Sequence, residues 1–72
     1  MIVYSRHDAE RNVHIITSIE GDTVRSITYA DTPKGMNKTR DWHHQLDELG
    51  FKSVDHYIEH MKKRGFKEVQ PA

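Results

Sequence analysis

The sequence predicts an α+β domain: a three-stranded antiparallel sheet, then two helices packed on one face, with room for a short C-terminal edge strand. Three observations carry this expectation. Two runs rich in β-branched residues flank Gly21-Asp22. An apolar stripe recurs at helical spacing through Trp42, Leu46 and Leu49. A second stripe follows a good N-cap at Ser53.

Met1 to Ser5 is a short β-rich run, and Arg6 to Asn12 is polar and reads as a loop. Val13 to Glu20 and Thr23 to Ala30 favour strands because branched side chains fit a pleated surface. Gly21 at the first central position suits a two-residue type II′ turn. That turn sets Glu20 opposite Thr23 and Ile19 opposite Val24. One face then carries Val13, Ile15, Thr17, Ile19, Val24, Ser26, Thr28 and Ala30, and is assigned to the core. The other carries His14, Ile16, Ser18, Glu20, Thr23, Arg25, Ile27 and Tyr29.

Residues 31 to 38 read as a loop by their Pro, Gly and Asn content. A first helix is expected from about Thr39 to Leu49, stopped by Gly50 with Phe51 folding back on the last turn. A second helix starts at Ser53, with Asp55 at its positive end. Val54, Tyr57, Ile58 and Met61 form its buried stripe, and Lys62, Lys63 and Arg64 suit its negative end. Gly65-Phe66 repeats the stop at Gly50-Phe51. Phe66 to Val69 is the expected edge strand. Residues 1–69 form one small domain, and residues 70–72 are expected to fray.

Composition narrows the function. With 72 residues there is material for one small core. Eleven Lys and Arg balance eleven Asp and Glu, so bulk charge does not favour nucleic acid or anionic membrane. Cysteine is absent, which fits a reducing cytoplasm better than the secreted world of small disulfide-rich domains. The start lacks the pattern of a signal peptide, and no apolar run could span a bilayer. There is no cysteine nucleophile, phosphate-cradling Gly-rich loop or G-x-S-x-G elbow, so a non-enzymatic protein is expected.

Six histidines make the chain histidine-rich. Imidazole is both a metal ligand and a pH-sensitive group. His56-Tyr57-Ile58-Glu59-His60 fits H-x-x-E-H, and this stretch resembles the inverted zinc signature of the pitrilysin-type metalloproteases. The resemblance implies zinc held by His56 and His60 with Glu59 as general base. It covers about six residues. A catalytic zinc needs a third protein ligand and a cleft, and Glu68 is the only acid after His60. Zinc at His56 and His60 is therefore kept as a binding question, not a hydrolase assignment. His43 and His44, expected on the first helix with Asp47 and Glu48 as i, i+4 partners, could approach the second helix and add a ligand.

Two surfaces remain. Helices cover only one face of a sheet, which leaves His14, Ile16, Arg25, Ile27 and Tyr29 as a partner-binding surface with an apolar centre and a polar rim. The expected function is a regulator or inhibitor that docks there on another protein, or on itself as a homodimer. The alternative is a nucleic-acid-binding module using Lys34, Lys38 and Arg40 with Lys62, Lys63 and Arg64. Residues 33–72 do carry eight basic against six acidic residues, and residues 1–32 carry three against five. However, a helix opening with Asp55 opposes phosphate.

Overall fold

The computed structural model describes residues 1–69; the expected frayed tail lies outside the described residues. The chain forms β1 (Ile2–Asp8), β2 (Val13–Glu20), β3 (Thr23–Thr32), β4 (Gly35–Gln45), α1 (Val54–Lys63) and β5 (Lys67–Glu68). All five strands join one antiparallel sheet in the order β4-β3-β2-β1-β5. The expected three-stranded sheet with two helices is thus corrected to a mostly antiparallel sheet with one short helix.

The central hairpin follows the expected register, with Glu20 opposite Thr23 and Ile19 opposite Val24. Gly21 has φ +59 while Asp22 does not take a positive φ, as a II′ turn requires. β1 runs on to Asp8, so Arg6, His7 and Asp8 of the stretch read as loop are strand. Asp8 Oδ1 accepts the N–H groups of Glu10 and Arg11, and Asn12 takes a left-handed φ of 54°, so four residues suffice to reverse the chain.

The largest correction concerns residues 31 to 49. The expected loop is a tight hairpin turn at Pro33-Lys34, where Thr32 Oγ1 donates to the Gly35 carbonyl at 2.6 Å and Gly35 takes φ +112. The expected first helix is mostly strand. Thr39, Asp41, Trp42, His43 and His44 are indifferent helix formers, and pairing with the ten residues of β3 outweighs that weak preference. The stripe of Trp42, Leu46 and Leu49 still turns inward, by another route. Trp42 points inward from β4, and Leu46 and Leu49 lie in the turn that follows. Leu46 is 5% exposed, and its N–H bonds to the Asp22 carbonyl at 2.8 Å.

α1 matches its expected form. Ser53 Oγ accepts the His56 N–H at 3.1 Å. Tyr57 and Met61 are buried, Val54 and Ile58 half-buried, and His56, Glu59 and Lys63 exposed. Both Gly-Phe stops form, with the same geometry. At the first, the Phe51 N–H reaches the Leu46 carbonyl and the Gly50 N–H that of Asp47. At the second, Phe66 reaches Met61 and Gly65 reaches Lys62. Both glycines are left-handed, at φ 83° and 92°. The first closes a single turn, the second a helix. β5 then pairs with β1, setting Tyr4 opposite Glu68.

The core lies between α1 and one end of the sheet: Tyr4, Ile19, Val24, Leu46, Tyr57 and Met61. Length explains why it stops there. Ten helical residues span about 15 Å, whereas the ten residues of β3 span roughly 33 Å. Half of the inner face therefore extends beyond the helix. The radius of gyration, 12.7 Å, exceeds the roughly 11 Å of an equally long compact chain, as an overhanging hairpin requires.

Candidate functional site

Reading across the strands, directly paired residues share a face, and every second row belongs to the same face. The inner face carries four rows, the last of them Asp8, Val13, Ala30 and Asn37. Its first row is Ile2, Ile19, Val24 and His44. The second is Tyr4, Thr17, Ser26 and Trp42, in which Thr17 Oγ1 and Ser26 Oγ bond at 3.4 Å while almost fully buried. The third is Arg6, Ile15, Thr28 and Arg40. The helix packs over Ile2, Ile19 and Val24 of the first row and Tyr4 of the second. The third, with Thr17, Ser26 and Trp42 of the second, lines a cleft of about 270 Å³, flanked by Tyr57, His60 and Arg64 of the helix end and by Phe66.

Arg6 is the best-fixed group in this cleft. Its guanidinium lies 5.4 Å from the Phe66 ring centroid, and Nη1 donates to the Arg64 carbonyl at 3.2 Å. Its Nε is buried and, among the described residues, meets no acceptor. Burial in the same wall pushes the Tyr57 phenol up from its ordinary value.

The outer face has no element over it among the described residues. Its rows are Val3, Ser18, Arg25, His43; then Ser5, Ile16, Ile27, Asp41; then His7, His14, Tyr29, Lys38. His14, Ile16, Arg25, Ile27 and Tyr29 thus come together on one face. Ile16 is 39% exposed, whereas Ile27, His14 and Tyr29 are half-buried by neighbours in the sheet. Two cations here share one carboxylate. Arg25 grips Asp41 with two hydrogen bonds, at 2.8 and 3.1 Å, and Lys38 joins them at 3.3 Å. The Arg25 guanidinium, with help from Lys38, lowers the Asp41 carboxyl to about 2.

Sequence reading missed His7, which stacks on His14 at 4.3 Å, and Arg6 in the cleft. Both fell in the stretch read as loop. Continued alternation beyond Ser5, with Ile2, Tyr4 and Arg6 in phase, was the available signal.

The basic residues of the nucleic-acid alternative are divided. Lys34 sits in the β3–β4 turn and Lys38 is held by Asp41 on the outer face. Lys62 and Lys63 are exposed on the helix end, whereas Arg40 and Arg64 share the cleft.

The histidines are also spread out. His56 and His60 flank the Phe51 ring at 5.2 and 5.1 Å. His43 and His44 lie on β4, not on a helix, and point to opposite faces. His44 does meet its i+4 partner Glu48, at 3.5 Å, but across a turn. The Gln45 N–H, donating to Glu48, and then His44 lower that carboxyl below its ordinary value. Among the described residues no three His, Asp or Glu side chains gather in a way that could hold a metal ion. No helix among them is long and apolar enough to cross a membrane. Compared with known proteins, the chain matches no family model, no curated protein and no solved structure.

Proposed function

We propose that this chain is a small, non-enzymatic cytoplasmic binding protein that regulates or inhibits a larger protein by docking on it through the outer face of the sheet. The observation that carries this reading is the row Ser5, Ile16, Ile27, Asp41. Its centre is apolar and accessible, and no described element lies over it. Tyr29 and Arg25, residue types favoured at binding hot spots, flank it. Asp41 holds both Arg25 and Lys38, so a flat, mainly apolar protein surface complements the Ile16 and Ile27 centre. The lack of cysteine supports a reducing compartment.

The test is a substitution at the centre. The protein captured by the wild-type chain is purified and titrated by calorimetry against wild type and Ile27→Asp. The expected loss is about 2 kcal/mol, or roughly 30-fold in Kd. Equal affinities would sink the reading. Sedimentation of the chain alone adds a second arm: a dimer abolished by Ile27→Asp identifies the partner as a second copy.

A further inference from the structure

We infer that the cleft beyond the helix end is a binding site for a small organic phosphate of mononucleotide size. It is independent of the docking face, because the two lie on opposite sides of the sheet.

Charge comes first. Arg6, Arg40 and Arg64 line the cleft with His60, and no carboxylate does. On the outer face, by contrast, Arg25 and Lys38 share Asp41. None of the three cleft arginines is in a salt bridge among the described residues. A planar guanidinium matches a phosphate oxygen pair with two parallel N–H groups, so unpaired arginines converging on one hollow are suited to phosphate. One local effect opposes an anion. The carbonyl end of α1 carries about half a negative charge. Arg6 already caps one of those carbonyls, and three full positive charges outweigh the remainder.

Geometry comes second. Arg6 and Arg40 end the row Arg6, Ile15, Thr28, Arg40, three strand spacings or roughly 14 Å apart at Cα. Arginine side chains reach inward from both ends of such a row, leaving the Ile15 side chain and the Thr28 hydroxyl as a floor. The 270 Å³ volume sits just below the roughly 300–1,000 Å³ of small-molecule sites, so a mononucleotide fits better than a larger cofactor. Aromatic rings line the walls: Trp42 on β4, Tyr57 on α1 and Phe66 after it. Tyr57 is buried and Phe66 already carries the Arg6 guanidinium, so half-buried Trp42 is the ring left to accept a flat base.

Trp42 is the only tryptophan and lines the site, so its fluorescence reports on occupancy. The experiment titrates the full chain with ADP, pyrophosphate, citrate and a single-stranded oligonucleotide. ADP is expected to saturate the signal and to weaken as salt rises. Arg40→Ala should weaken it at least tenfold, and Arg40 is exposed enough for the variant to fold. Ile27→Asp, on the other face, should leave ADP binding unchanged. No saturation by ADP or pyrophosphate, equal binding by Arg40→Ala, citrate as good as pyrophosphate, or an oligonucleotide binding where ADP does not would each overturn the assignment.

Discussion

The two faces of this sheet are built from the same strands and differ in how they treat charge. On the outer face Arg25 and Lys38 converge on one carboxylate, Asp41, beside an apolar centre of Ile16 and Ile27, and Lys67 stands at the Ser5 edge. On the inner face the polarity is separated along the strands, with an apolar row under the helix and an arginine row beyond it. Neighbours in sequence land in opposite environments. Ile15 belongs to the cleft and Ile16 to the outer face, because side chains alternate with a period of two. A helix half as long as its sheet divides one face into a core and an open cleft.

The largest effect should come from breaking the core that holds the helix over the inner face. Met61 is 2% exposed, and Met61→Ala should cost about 2–5 kcal/mol in chemical denaturation. A loss well under 1 kcal/mol would mean that α1 is not packed as described. Next come the two glycine closures. Gly65→Ala and Gly50→Ala each force a left-handed residue, at about 1–2 kcal/mol. An added Cβ meets nothing closer than 3.6 Å at either position, so backbone alone sets the cost and the two should agree. Unequal losses would show that the stops are not equivalent. Ser53→Ala removes the cap of α1 and should cost about 1 kcal/mol, read by the same denaturation curves.

The smallest effect is the acid response of the outer face. Asp41 has a carboxyl lowered from 3.8 to about 2 in the folded chain, so its contribution is present above about pH 4. It fades as pH falls through 2, where the folded form also protonates. Melting midpoints measured between pH 5 and 2 should fall slightly less steeply in Arg25→Gln than in wild type. Identical slopes would show that the ion pair adds nothing, as many exposed pairs do.

What the sequence revealed follows from how local each signal was. The hairpin register, the faces of β2 and β3, the Ser53 cap and both Gly-Phe stops rest on contacts within a few residues, and each was legible. β4 was not. It is an edge strand with most residues exposed, so inside-outside alternation is weak along it. Its partner, β3, is set by a turn at Pro33-Lys34 whose Thr32 hydroxyl bonds are not visible as a motif. The Trp42, Leu46, Leu49 spacing then imitates a helix while serving a strand and a turn. The cleft was hidden for the same reason: Arg6 and Arg40 are 34 positions apart, and only β4 places them in one row.

Isoleucine methyl spectra offer the most direct test of two chemically distinct faces. With isoleucine methyl groups labelled and pyrophosphate added, the Ile15 methyl signal should shift in a saturable way while those of Ile16 and Ile27 stay in place. Shifts at Ile16 or Ile27 equal to that at Ile15, or no shift at Ile15, would contradict the account.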